Sequence, residues 1–195
     1  LRYCWQRECS HAIYYNLMRM DPNYKMSDTE TIIKNLALVK KTINGALKSS
    51  SRSENTTKLV AVTKTRQLDV IEKALMAGQR IFGENRVQEA EEKWLDLKIL
   101  YPKTQLHLIG PLQTNKAALA ASLFDVIETI DRIKLATAIS RQIKKTGRHV
   151  RCFVQVNTGK EAQKAGVFPE EVDAFIETCR SDLSLSIDGL MCIPP

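Results

Sequence analysis

A lysine stands just past the apolar run Leu59-Val60-Ala61-Val62, in the segment Thr63-Lys64-Thr65-Arg66. At the mouth of a buried strand such a lysine is partly desolvated, which disfavours the ammonium form and leaves a nucleophilic amine able to condense with a carbonyl carbon. The plain alternative is a surface lysine that snorkels off a strand end, and position alone does not choose between the two. Other apolar runs are followed by equally distinctive polar residues: Gly83-Glu84-Asn85, Gly110-Pro111-Leu112-Gln113, Asn157-Thr158-Gly159 and Met191-Cys192-Ile193-Pro194. His107 lies inside a run, in Leu106-His107-Leu108-Ile109, where a hydrogen-bonded core histidine is the simpler reading than an acid or base.

Metal chemistry has little support. The five cysteines (Cys4, Cys9, Cys152, Cys179, Cys192) are scattered and lack the paired CxxC spacing of a zinc or redox site, which points to a reducing compartment. Cys4, Cys9 and His11 stand close in sequence, but three candidate ligands in a ragged terminus read as coincidence. No GxGxxG follows the first strand and no phosphate-binding lysine loop occurs, so the usual nucleotide motifs are missing.

The elements that must position these groups follow from periodicity. The chain has 195 residues, 44% apolar and 26% charged, an ordinary globular balance that excludes wholesale disorder, collagen and coiled coil and makes one domain the default. No apolar run approaches the roughly 18 residues of a membrane span. Residues 1–26 have no sustained period and no signal-peptide core, and read as an unstructured or non-native leader ahead of Met26. Ser27-Asp28-Thr29-Glu30 is a capping box, and behind it Ile32, Leu36, Val39, Ile43 and Leu47 recur at helical spacing until the polar loop of residues 49–55.

Strands and helices then alternate. Strands are expected at residues 59–62, 80–82, 105–109, 124–128, 150–156 and 185–191. The helices between them carry Leu68, Ile71 and Leu75 before Gly78, then Val87, Ala90, Trp94 and Leu97, then residues 115–123 and 133–145. The last one is opened by Pro169, with Val172, Phe175, Ile176 and Cys179 facing inward. Six strands with helical crossovers imply parallel pairing, in either an open doubly wound sheet or a (β/α) barrel; periodicity leaves that choice open. In both, reactive groups collect at the C-terminal strand ends, where the residues above stand.

The formal net charge is +7, and the whole excess lies in residues 131–164, with nine basic residues against Asp131 and Glu161. Such a segment is a candidate footprint for nucleic acid. Yet Lys134, Arg141, Lys145 and Arg148 fall opposite Ile133, Ala136, Ile139 and Ile143, the pattern of an ordinary solvated helix face, so nucleic acid is the lesser reading.

The blocks Leu59-Val60-Ala61-Val62-Thr63-Lys64-Thr65, Phe82-Gly83-Glu84-Asn85-Arg86-Val87-Gln88-Glu89, His107-Leu108-Ile109-Gly110-Pro111-Leu112-Gln113-Thr114-Asn115-Lys116 and Gly189-Leu190-Met191-Cys192-Ile193-Pro194 stand in order. Thr129-Ile130-Asp131-Arg132 and residues 157–166 fit between them. Over residues 32–195 the chain so resembles the pyridoxal phosphate homeostasis proteins, which are similar to the barrel domain of alanine racemase. The resemblance implies an α/β fold, a (β/α) TIM-type barrel with about six of its eight strands present, over residues 27–195.

It also implies pyridoxal 5'-phosphate (PLP) as cofactor. Lys64 matches the lysine that holds PLP as an internal aldimine; Asn85, His107 and Met191 match residues lining the pocket, and Lys164 one near its mouth. The family is credited with binding and delivering PLP to PLP-dependent apoenzymes without assigned turnover, so the expectation is a cytoplasmic, monomeric carrier. An amino-acid racemase or lyase is the alternative, although a racemase needs a second acid/base group, supplied in the related enzymes by an extra domain. Two positions depart from the family: Arg66 stands where a second lysine is common, keeping the charge but not the amine, and Leu106 where Phe or Trp is usual. Family members continue through further strands whose loops hold the phosphate, so weak PLP retention and poor solubility are expected of this shortened chain.

Overall fold

The computed structural model describes residues 11–15, 29–53 and 56–194, and the side chains of residues 30–53 and 56–194. The leader expected over residues 1–26 and the Cys4–Cys9–His11 grouping lie outside the described residues, apart from the backbone of residues 11–15; Ser27 and Asp28 of the capping box lie outside them too. The chain divides into two compact units, Leu1–Phe82 and Gly83–Pro195.

In the first unit, helix α1 (Thr29–Ser49) buries Ile32, Leu36, Val39 and Leu47, the stripe its periodicity sets out, and packs on α2 (Leu68–Met76). Strand β1 (His11–Tyr15) pairs in parallel with β2 (Thr57–Val62), His11 opposite Thr57 and Tyr15 opposite Ala61. β1 is an addition to the six strands read from the sequence. Helix α2 turns Val70, Ile71, Ala74 and Leu75 inward and ends at Gly78, whose φ of +83° lets its N–H reach Leu75 O while the Gln79 N–H reaches Ala74 O. Gln79 is buried, and its side-chain amide donates to Leu59 O at 2.9 Å and Ile81 O at 2.8 Å, tying β2 to the start of β3 (Ile81–Glu84).

β3 carries the chain into the second unit. There β4 (Gln105–Leu108), β5 (Val126–Ile130), β6 (Arg151–Val156) and β7 (Gly189–Cys192) pair in parallel, each beside the next in sequence. The crossovers are helical: α3 (Val87–Leu100) before β4, α4 (Ala117–Leu123) before β5, α5 (Ile133–Thr146) before β6 and α6 (Val172–Ser181) before β7. Strand order follows chain order without reversal, the connectivity of a barrel and not of a doubly wound sheet. Leu106, Leu108, Ile127, Cys152 and Val154 on one sheet face are 0% exposed, as are Trp94 of α3 and Leu135 and Ile139 of α5.

Two expectations need correction. The last strand is Gly189–Cys192, not residues 185–191: the Leu185 N–H bonds Cys179 O at the end of α6, and the Asp188 N–H bonds Cys152 O. Leu185 and Ile187 are buried, so their alternation reports burial without a ladder. On α6, Val172 and Cys179 are buried whereas Phe175 and Ile176 are only half-buried.

Candidate functional site

Lys64 belongs to the first unit. β2 ends at Val62, the next residue Thr63 is buried, and the chain turns at once: the Arg66 N–H bonds Thr63 O at 3.1 Å, with Thr65 at φ +61°. A β-branched residue in the left-handed region costs on the order of 1–3 kcal/mol, so the turn is held against a local preference. It swings Lys64 outward. Lys64 is exposed, and among the described residues its Nζ has no hydrogen bond or ion pair. This corrects the expectation of partial desolvation: the buried strand-end position is taken by Thr63, and the lysine one residue later sits on the turn.

The other four residues belong to the second unit. Register places His107 beside Val126, Val126 beside Arg151 and Gln155 beside Met191. Because side chains alternate along a strand, His107, Glu128, Arg151, Phe153, Gln155 and Met191 share the face opposite the fully buried apolar one. His107 and Glu128 meet directly, Nδ1 to Oε1 at 2.6 Å, with His107 7% and Glu128 1% exposed. Burial raises the Glu128 carboxyl from 4.5 to about 8, against the pull of the Arg151 guanidinium in the other direction. Arg151 lies over the Phe153 ring at 5.4 Å and its Nε stands 3.9 Å from Asp188. Met191, 5% exposed, gives this face an apolar patch beside the buried Gln155.

Asn85 follows β3 and is half-buried. Its backbone lies so close to Gly110 that a Cβ on Gly110 would stand 2.2 Å from Asn85 O, so only glycine fits. The Ile109 N–H donates to Glu84 O and the Thr129 hydroxyl to Gly110 O at 2.9 Å, fixing the ends of β3, β4 and β5 together.

Lys164 sits in the loop after β6, which Asn157 organises. The Asn157 amide donates to Glu161 O at 2.8 Å and Lys164 O at 3.2 Å, and its Oδ1 accepts the Glu161 N–H. Gly166, at φ +127° with a would-be Cβ 2.7 Å from Asn157 N, brings the loop back so that Val167 bridges Val156. Lys164 Nζ is paired with Glu161 at 2.6 Å and donates to Pro194 O at 3.2 Å, so here it spans loop and strand end.

His107 on β4 and Met191 on β7 thus share one sheet face, Asn85 is pinned by its backbone, and Lys164 is engaged by Glu161 and Pro194 O. Sequence reasoning missed Glu128. The available signal was one acidic residue inside a five-residue strand that is otherwise apolar apart from Thr129, and every position of β5 is buried.

Together these features define an α/β barrel domain of the kind that begins alanine racemase: the family model "Alanine racemase, N-terminal domain" matches residues 28–195. Among curated relatives, the pyridoxal phosphate homeostasis protein of Haemophilus influenzae is 38% identical over 160 residues, 82% of this chain and 68% of that protein. Its namesake in Escherichia coli K12 is 37% identical, over 84% of this chain and 70% of its own. Among solved structures, PipY of Synechococcus elongatus without PLP is 36% identical with a TM-score of 0.67, over 78% of this chain and 71% of that one. The same protein with PLP bound gives 35% and 0.65. The chain belongs to the family of the pyridoxal phosphate homeostasis proteins. The expected barrel-type α/β fold is therefore the fold of the chain.

Proposed function

We propose that this chain binds PLP through Lys64 and serves to hold and deliver the cofactor, with Asn85, His107, Lys164 and Met191 contributing to its site. The observation that carries the reading is the Lys64 amine, exposed on a strained turn at a strand end and without a partner among the described residues. PLP brings an aldehyde that an uncharged amine captures, and an anionic phosphate that needs N–H donors. The residues suit it: an amine not committed elsewhere among the described residues, and in the second unit a polar wall of His107, Glu128 and Gln155, with the apolar Met191 beside Gln155. The names of the relatives and the PLP-bound PipY structure support the same assignment.

A carrier, not a catalyst, is the form this takes, with PLP-dependent apoenzymes as recipients and a cytoplasmic monomer as the working state. Cys152, Cys179 and Cys192 are free thiols, which fits a reducing compartment. Among the described residues no helix is long and apolar enough to cross a membrane.

Borohydride reduction of the chain with PLP, followed by peptide mapping, tests the assignment. A pyridoxyl group concentrated on Lys64, and lost in Lys64→Ala, is the expected result. Label spread evenly over surface lysines overturns it. Turnover in an amino-acid panel that vanishes in Lys64→Ala would replace the carrier by a PLP enzyme.

A further inference from the structure

We propose that Glu128 is a positioning residue that acts through His107, its proton setting how firmly the polar face of the second unit holds an anionic ligand. The inference rests on the PLP reading and adds a residue and a control to it.

His107 on β4 and Glu128 on β5 stand on adjacent strands, 2.6 Å apart and nearly excluded from water. At that distance a proton lies between the two groups, whichever holds it. With one proton more than the carboxylate–imidazole form, the pair as a whole carries no net charge; without it, the pair carries one negative charge buried beside the ligand face. Among the described residues Arg151 on β6 is the charged group that acts on Glu128, and its Nε stands 3.9 Å from Asp188. β7 contributes the uncharged Met191. Burial of the carboxyl outweighs the pull of Arg151, and Glu128 keeps its proton to about 8.

The consequence is a latch. While the proton is present, the face accepts a phosphate-bearing ligand without like-charge repulsion and His107 is held in one orientation. Loss of the proton to solvent puts a carboxylate in a poorly screened site and weakens the ligand's hold. A purely structural Glu128 would hold β4 to β5 with no such dependence.

Two measurements on the full chain test this. Carbon-13 NMR of Glu-labelled protein without ligand should show a carboxyl titrating near 8, absent in Glu128→Gln. PLP retained through gel filtration should fall about tenfold more in wild type than in Glu128→Gln as pH rises from about 7 to about 9.5, since the amide mimics the protonated carboxyl. A carboxyl that titrates near the ordinary 4.5 overturns the proposal without any variant. Equal pH profiles with PLP retained by both proteins overturn the latch and leave PLP binding intact. No retention by wild type at any pH removes the PLP reading, and the latch with it.

Discussion

The carboxyl of Glu128 is raised from 4.5 to about 8 because burial costs it more than Arg151 returns. Between those two values the folded chain keeps a proton that the unfolded chain releases, so stability falls as pH rises from about 4.5 to about 8 and is flat in this respect beyond. The loss is on the order of a few kcal/mol. Glu128→Gln removes the titration. Urea unfolding should show wild type losing stability relative to the variant across that range, with the variant the more stable on the alkaline side; parallel profiles would show that the carboxyl ionises alike in both states. Lys64 is the opposite case, an exposed side chain whose interest lies in its reach and in having no partner among the described residues. Residue type and strand-end position flagged it, whereas its exposure was illegible: whether the buried strand-end place goes to Thr63 or Lys64 depends on where the turn begins, and an L-threonine at φ +61° is not a turn signal a sequence announces.

Two glycines separate close approach from backbone freedom among the elements. Gly110→Ala would set a Cβ 2.2 Å from Asn85 O and 2.7 Å from Asn85 Cα, both backbone, so the ends of β3 and β4 must part. A loss of about 2–3 kcal/mol is expected, with weakened PLP retention because Asn85 moves. Gly147 ends α5 at φ +66° with nothing within 4 Å, so Gly147→Ala should cost about 1 kcal/mol and leave retention alone. Equal effects in denaturant melts would refute the distinction. The legible elements were the long or strongly patterned ones: the stripe of α1, the apolar runs of β2 and β6, and the Gly78 stop. β1 was not legible because five residues, His11-Ala12-Ile13-Tyr14-Tyr15, show no decisive alternation and acquire their meaning from pairing with β2. Leu185 and Ile187 misled because burial, not a ladder, spaced them. The His107–Glu128 contact joins residues 21 positions apart, and only strand register reveals it.

The charge of the whole molecule is concentrated in residues 131–164, where the sequence alone admits a nucleic-acid footprint. The structure shows where those charges go. Arg132 donates to Leu112 O, Lys144 to Leu183 O and Arg148 to Ala121 O, while Lys160 pairs with Glu170 and Lys164 with Glu161. Arg151 stands by Asp188. That leaves Lys134, Arg141 and Lys145, exposed along α5 and without a protein acceptor among the described residues. Each phosphate contact contributes about −0.9 to the slope of log affinity against log salt on duplex DNA, so three contacts give roughly −2.7 where a dedicated binder making about 6–10 contacts falls far more steeply. Fluorescence anisotropy with labelled duplex DNA at rising salt should therefore show weak binding with a slope no steeper than about −3, unchanged when Arg132 or Arg151 is replaced. A slope near −6 would mean that the ion pairs open on binding and that the basic segment is a nucleic-acid surface after all. The folding argument points the other way: six of the nine cations already have acceptors that the fold itself supplies, and releasing them would return a share of helix and loop stability for each phosphate gained.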